Sequence, residues 1–513
     1  MIWLIAKKDF LLNLLSVRFI IAFVLCLVII PFTMIVSVDD YQNQVRIYEI
    51  EQKKADDGMK YSRVWSAVRP TIIMKPAPLS VFSNGIMNNV GNKVKIMFEN
   101  YPLFPTGHTN TRDNPLLNAF FSIDFSRVIA ILISLIALVF AYDSITRERE
   151  DGTMKLTFTG QVSRISFLFG KLTGLLLTLL PILFFCYLLA CLIIVLNPEI
   201  SFSVTDWGGV MLLLLSSMVY MLVFILLGMF ISCIVKRSSS SIIISLLCWI
   251  WFLFLMPNIS TYLSQSIAKT PLYDNVQSAM NDYDKNKEKE VWDIHQKIQN
   301  EMGLNGLYHW NYWDGEDGLR ETTGGTRTTP LFYLRFVPET APLGIDNADK
   351  KWVLQRNYLD KLQHQQQLQQ GIATLSPSEI FRQITEILCA TSAADFLKYM
   401  DHTRNFREIF IRYFTDNKLF ASSLYFTPQP IEEFPTEEEI AMIEDENIRN
   451  ERLDKNSSLY PYLDTSNVPQ YTTQPFSLSG AFGEALGRLA ILFGLIVILL
   501  IGMIISFMKY DVR

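Results

Sequence analysis

Long runs of apolar residues alternate with strongly polar segments along this chain, and the runs are too long for the core of a soluble domain. Six stretches hold no Asp, Glu, Lys or Arg: 19–38, 128–142, 172–196, 208–235, 238–257 and 489–508. A hydrocarbon layer of roughly 30 Å needs about 20 helical residues, because lipid gives backbone groups no partner outside a helix or a closed barrel. Five runs meet that length directly. The run at 128–142 is extended outward by Phe120, Phe121, Ile123 and Phe125, past Asp124 and Arg127. Those two charges stand three apart on one helical face and can pair near an interface. The pattern predicts six membrane-spanning helices.

The polar segments predict helices of their own. Residues 2–16 place Asp9 and Asn13 on one side and Trp3, Phe10, Leu11 and Leu14 on the other. That division suits an interfacial helix lying on the membrane before the first span, or a simple extension of that span. The first apolar run is too long, and lacks the following cleavage site, for a removed signal peptide. Segment 39–123 opens with a polar helix from Asp39 to about Met59 and then turns irregular around Pro70, Pro76, Pro78, Pro102 and Pro105. Segment 258–484 predicts a charged helix near 274–302 and an aromatic, glycine-rich part containing Tyr308, Trp310, Tyr312 and Trp313. A glutamine-rich helix from Asn347 to Gln370 follows, then helices around 378–389 and 393–415. The piece 431–446 carries eight acids and no base, which reads as a solvated face or mobile loop. The expected fold is therefore mainly α: a polytopic membrane protein with six transmembrane helices and a large, largely helical extracytoplasmic domain built from two insertions.

Charge refines this picture. The chain has 45 Lys+Arg against 50 Asp+Glu, a net charge of −5, and only 19% charged residues. The charges crowd into the polar segments, so a soluble enzyme and a disordered chain are both excluded, and a nucleic-acid binder should be basic. Lys and Arg in short loops set orientation. Lys7, Lys8 and Arg18 precede the first span, and Arg147, Arg149, Lys155, Arg164 and Lys171 fill the loop between the second and third. Lys236 and Arg237 link the fourth and fifth, Lys509 and Arg513 close the chain, and the alternate loop 197–207 has Glu199 and Asp206 but no base. Both termini are thus expected in the cytoplasm, with 39–123 and 258–484 outside, in a multi-pass protein of the inner (cytoplasmic) membrane. Cys26, Cys186, Cys191, Cys233 and Cys248 lie in apolar runs and read as small hydrophobes; Cys389 alone lies in a polar region, so no disulfide is available there.

Catalytic chemistry is sparse. No G-x-x-x-x-G-K-[ST] loop occurs; Gly170-Lys171 lacks the upstream glycine and is followed by Leu172. No H-E-x-x-H occurs, and His108, His295, His309, His364 and His402 are scattered. Asp314-Gly315-Glu316-Asp317-Gly318 is similar to a calcium loop, but its acids are out of register, which favours an acidic turn. The cluster from Tyr308 to Trp313 suits a ligand, lipid headgroups or local core packing. The apolar runs carry no charge of their own, which argues against a pump with an intramembrane carboxylate relay and leaves an amphipathic, lipid-like cargo or none. Pro31 and Pro181 can kink their helices, and Gly208, Gly209 and Gly228 permit close helix contact.

The loop after the second span is the most informative segment. It reads Asp143-Ser144-Ile145-Thr146-Arg147-Glu148-Arg149-Glu150-Asp151-Gly152-Thr153-Met154 and runs on through Ser163-Arg164 to Gly170-Lys171. Gly152 offers a helix stop, and a short amphipathic piece with Met154, Leu156 and Phe158 follows. Five bases interleaved with four acids exceed what orientation requires and suit docking into a partner's groove.

This loop resembles that of the membrane subunits of type-2 ATP-binding-cassette (ABC) exporters, which reads D-x-[IV]-x-x-E-[RK]-E-x-G-T-[LM], then S-R and L-x-G-K. The match falls on Asp143, Ile145, Glu148, Arg149, Glu150, Gly152, Thr153 and Met154, then Ser163, Arg164, Gly170 and Lys171. Lys7-Lys8-Asp9-Phe10 resembles the family's elbow helix, and the large outer segments resemble a subgroup with insertions after spans one and five. The resemblance implies a permease exporting an unidentified substrate, for which the uncharged spans leave a lipid-like or amphipathic cargo, without enzymatic activity of its own, paired with a second copy or a sister permease. ABC ATPase subunits would hold ATP and Mg, and this chain would need no cofactor or metal. It implies an ATPase-coupling site at Asp143, Arg147, Glu148, Arg149, Glu150, Gly152, Thr153 and Arg164, with contact expected at Arg147 to Glu150. Two other readings are a mechanotransmission or scaffold subunit that drives extracytoplasmic partner proteins without moving cargo, and an outer-domain receptor or hydrolase working without an ATPase.

Overall fold

The computed structural model describes residues 1–87, 90–99, 124–159, 162–304, 310–313, 319–453, 459–473 and 476–509, with backbone alone for 310–313 and 319–323. Six helices are long and apolar enough to cross a membrane: Val17–Lys60, Phe125–Glu150, Arg164–Val195, Val204–Ile234, Ser238–Ile267 and Leu478–Met508. They are spans 1 to 6 below; the regular α-helix of span 2 is Phe125–Ala141. Span 4 and span 2 form the centre. A Cβ on Gly228 would stand 2.7 Å from Ala141 Cβ, so glycine is what lets these helices meet. Spans 1, 5 and 6 lie at the periphery and leave most of their apolar surface uncovered.

The elbow helix Ile2–Leu14 and the close of span 6 lie at one end of the bundle, the base. The elbow packs on span 3 there, and the Arg164 guanidinium donates to the Met508 carbonyl at the close of span 6 (2.7 Å). Trp3, Leu4 and Leu12 of the elbow stay exposed, an apolar face of the kind that lies in a membrane surface.

The polar stretch from Asp39 to about Met59 is helical as expected, and it is the continuation of span 1. Neither Gly nor Pro falls between Phe32 and Asp57, so nothing stops the helix. The 44-residue result extends about 66 Å. At its far end it meets a second core at the top of the molecule, built on Val68, Ile72, Val94, Trp352, Phe410 and Phe414. The two polar insertions make that core together. Strands Thr71–Ile73 and Lys93–Lys95 pair antiparallel beneath the helix Ala393–Asp416. The fully buried Arg407 donates to the carbonyls of Met97 and Phe98 and pairs with Asp349 at 2.9 Å. Two long helices, Tyr273–Met302 and Thr328–Ala373, pack side by side and are pinned by Lys351 on Asp284 at 2.8 Å. The aromatic segment forms a strand, Trp310–Trp313, paired with Leu319–Thr323; Tyr308, the acidic turn 314–318 and His108 and His309 lie outside the described residues.

The helix Pro377–Leu388 departs most from expectation. Its sequence belongs to a polar segment, yet it inserts among the spans as a wedge. The Ser376 and Ser378 hydroxyls both donate to the Phe252 carbonyl (2.6 and 2.8 Å), within the π-turn Trp251–Leu255 of span 5. A π-turn displaces carbonyls from the helical ladder, and the two serines supply the missing donors. Phe381 stacks on Tyr220 at 4.6 Å. Tyr220 lies 16 residues below the top of span 4, about 24 Å along the helix. The wedge carries Arg382 between Glu379 and Glu386, with Glu379 at 2.9 Å. The apolar runs hold no charge, as their sequence says, but the bundle does: the wedge supplies it, self-paired at i±3 and i±4.

Candidate functional site

At the base, span 2 gives way to a turn at Tyr142–Ile145, a short helix Thr146–Glu150, and a second helix Thr153–Thr159. Gly152 separates them with φ +69°, the left-handed region where a side chain is strained. Residues 160–161 lie outside the described residues, and Ser163 then caps span 3 by accepting from the Ser166 amide.

The loop's charges divide by direction. Asp143 turns back to Arg18 of span 1 at 2.9 Å, and Arg18 also donates to the Tyr142 hydroxyl. Glu148 accepts from Lys171 of span 3 at 2.7 Å, and the Thr153 hydroxyl donates to its other oxygen. The same Lys171 ammonium reaches Asp9 of the elbow at 3.0 Å, so one buried cation joins three elements. Arg149 donates to the carbonyls of Val235 and Cys233 (2.8 and 3.3 Å), where span 4 ends and its last carbonyls lack helical partners. Glu150 accepts from the amide and hydroxyl of Ser238 (3.0 and 2.6 Å), placing a carboxylate at the N-terminus of span 5. Ser232 of span 4 accepts from the amides of Ile145 and Thr146. Arg147, by contrast, points outward with, among the described residues, only Asp151 within ion-pair range at 3.8 Å, and Lys155 and Leu156 are exposed beside it. Arg164 stands apart, on the end of span 6.

Close packing makes this arrangement possible. A Cβ on Gly174 would stand 2.9 Å from Asp9 Cβ and 3.1 Å from the Ala6 carbonyl, and Gly170 meets Ile5 in the same way. The elbow therefore seats against bare backbone, and Asp9 arrives beside Lys171. Burial pushes the Asp9 carboxyl above its ordinary value, and Lys171 offsets only part of that. For Glu148 burial acts in the same direction, but the charge and hydrogen bond of Lys171, with the Thr153 hydroxyl, outweigh it and hold the carboxyl below its ordinary value. Ser238 does the same for the exposed Glu150.

The sequence matches the family described as ABC-2 family transporter protein over residues 3–512. The chain belongs to that family. No curated protein matches it. As an ABC-2 permease it is a membrane subunit that the family pairs with ABC ATPase subunits. The residues expected to couple the permease to its ATPase thus sort into one outward side chain, Arg147, and three tied to neighbouring elements, the half-buried Glu148 and Arg149 and the exposed Glu150, with Thr153 and Gly152 shaping the turn. Asp9, Lys171, Ser232 and Ser238 complete the site but stood outside the expected set. A signal for Lys171 existed: it is a charge set in apolar surroundings, and a charge so placed demands a partner. Among the described residues, no group of three or more His, Cys, Asp or Glu side chains is placed to hold a metal ion.

Proposed function

We propose that this permease converts closure of separate ATPase subunits into movement of its spans, and so drives export of an amphipathic, lipid-like substrate. One observation carries the reading. The helix Thr146–Glu150 is tied at once to span 3 and the elbow through Glu148–Lys171–Asp9, to span 4 through Arg149–Val235, and to span 5 through Glu150–Ser238. A push on its outward face is passed to all of these elements together. The ATPase contact is then the exposed rim of Arg147, Asp151, Lys155 and Leu156, while Glu148, Arg149 and Glu150 transmit through their bonds to the neighbouring elements. ATP and Mg sit on the partner. The base faces the cytoplasm of the inner membrane, as its lysines and arginines require, and the top domain lies outside. The uncovered apolar faces of spans 1, 5 and 6 are where a second copy or a sister permease packs.

The test is the Arg147→Glu/Leu156→Ser variant, coexpressed with its ATPase and measured for stimulated ATP hydrolysis in proteoliposomes. Stimulation is expected to fall at least tenfold with unchanged thermal stability; stimulation equal to wild type overturns the assignment.

A second reading, mechanotransmission to extracytoplasmic partners without cargo crossing, is favoured by span 1. That single helix connects the Arg18–Asp143 pair at the base to Glu51–Lys93 in the top domain (2.9 and 2.6 Å). Lipid translocation by the complex in vesicles separates the two: ATP-dependent transfer supports export, and hydrolysis without transfer supports the lever.

A further inference from the structure

Beside the top of span 5 lies an open cleft of about 690 Å³, lined by Ile267, Ala268, Lys269, Asn357, Asp360, Lys361, His364 and Leu368. Its charge is unbalanced. Asp360 pairs at 3.0 Å with Arg356, which also holds Asp401 at 2.8 Å, whereas among the described residues neither Lys269 nor Lys361 has an ion-pair partner. Two exposed ammonium groups and a histidine therefore face the cleft against a single carboxylate, itself paired elsewhere.

The cleft is also graded from polar to apolar, and the grading has a direction. The helix Thr328–Ala373 runs antiparallel to span 5: Gln365 donates to the Ala268 carbonyl, Gln369 to the Ser260 hydroxyl, and Ser376 to the Phe252 carbonyl. Moving from Asn357 toward Leu368 is thus moving down toward the membrane. Asn357, Lys361, His364 and Leu368 recur at the spacing of one helical face, so the cationic groups stand above and Leu368 below. Ile267, and Leu263 one turn beneath it, are exposed and continue the apolar strip downward.

The height is that of a lipid headgroup. Span 5 runs 30 residues from Ser238 at the base to Ile267, about 45 Å, the thickness of a bilayer with its headgroups. Lys269 therefore emerges at the phosphate layer of the top-side leaflet, with the exposed Tyr262 just below it, where amphipathic rings settle.

We infer that this cleft binds a membrane lipid with an anionic, phosphate-bearing headgroup, held between Lys269, Lys361 and His364 with its acyl chain along Leu368, Ile267 and Leu263. The inference does not depend on which substrate the permease moves, and its test uses no ATPase. The purified full chain is titrated in detergent with phosphatidylglycerol or phosphatidylcholine and read by native mass spectrometry. Phosphatidylglycerol is expected to bind at least fivefold more tightly. Each lysine near an anionic surface contributes about fivefold, so Lys269→Gln/Lys361→Gln removes that preference. Lys269→Arg/Lys361→Arg keeps it, and Lys285→Gln/Lys289→Gln, on the neighbouring long helix, leaves it unchanged. Equal binding of the two lipids, or a preference that survives Lys269→Gln/Lys361→Gln, overturns the inference. Displacement of the lipid by millimolar inorganic phosphate alone also overturns it, because the site would then serve a free anion.

Discussion

Glu148 and Lys171 meet at 2.7 Å beneath the elbow helix, and the same ammonium holds Asp9 at 3.0 Å. The lysine side chain is only 7% exposed, so the cation is buried with two carboxylates and cannot exchange either for water. Breaking a buried pair by removing one partner costs about 3–5 kcal/mol, because the survivor stays buried and uncompensated. Lys171→Ala is therefore expected to lower the melting temperature markedly and to free the elbow, read as new protease cleavage before Arg18. Glu148→Lys sets two ammonium groups together and should do at least as much damage, so it cannot report on ATPase contact. A Lys171→Ala variant as stable as wild type would show that the three charges do not form one lock.

Gly174 tests the elbow's seating without touching charge. A side chain there must occupy space 2.9 Å from Asp9 Cβ. Gly174→Leu should displace the elbow while span 3 remains helical. Cross-linking between cysteines placed at Ala6 and Thr178 is expected to fall several-fold, and undiminished cross-linking would refute the close approach.

The lock should respond to acid through two groups of opposite sign. Burial raises the Asp9 carboxyl, so its favourable contribution is complete below the ordinary aspartate value near 3.9 and is lost as pH rises through its raised value. Glu148 is depressed, so its contribution is present above the ordinary glutamate value near 4.3 and is lost as pH falls through its own lower value. Acidification from neutral should stabilise the base as Asp9 takes up a proton and destabilise it as Glu148 does. The melting temperature of Asp9→Asn minus that of wild type, followed from pH 7 to pH 3, should fall as Asp9 takes up its proton. A difference that stays flat would remove Asp9 from the titration.

The wedge makes a prediction that separates packing from charge. Arg382→Leu leaves the buried Glu379 and Glu386 on one helical face without the cation between them and is expected to destabilise by about 3–5 kcal/mol. Replacing the whole set, Glu379→Gln/Arg382→Leu/Glu386→Gln, should recover most of that loss, since well-packed neutral groups replace a buried ion set at little or no cost. Failure of the triple variant to recover would mean that these charges have partners beyond one another.

Much of this architecture is legible locally. Span 5 is found from its apolar run, although the helix continues past Met256 to Ile267 on residues of mixed polarity. Gly152 is readable as a break because only glycine takes its backbone conformation without strain. The division of Arg147, Glu148, Arg149 and Glu150 is not readable in the same way. On a five-residue helix every side chain is near solvent until neighbouring elements close over it, and the elements that do so come from residues 9, 171, 235 and 238. The same limit hides the wedge: Glu379, Arg382 and Glu386 look like a solvated stripe, and a stripe whose charges pair with one another has the same sequence when buried.

The sequence by itself determined that six helices cross a membrane, that the loop after the second carries this family's motif, and that two polar insertions stand between spans. Each follows from length, charge exclusion or backbone freedom, which are properties of contiguous residues. Only the tertiary structure decided which loop charges point outward, that both insertions share one core, and that a charged helix lies among the spans. Those outcomes depend on where a charge finds its counter-charge, and here that is a contact between segments distant along the chain or a pairing that burial alone reveals.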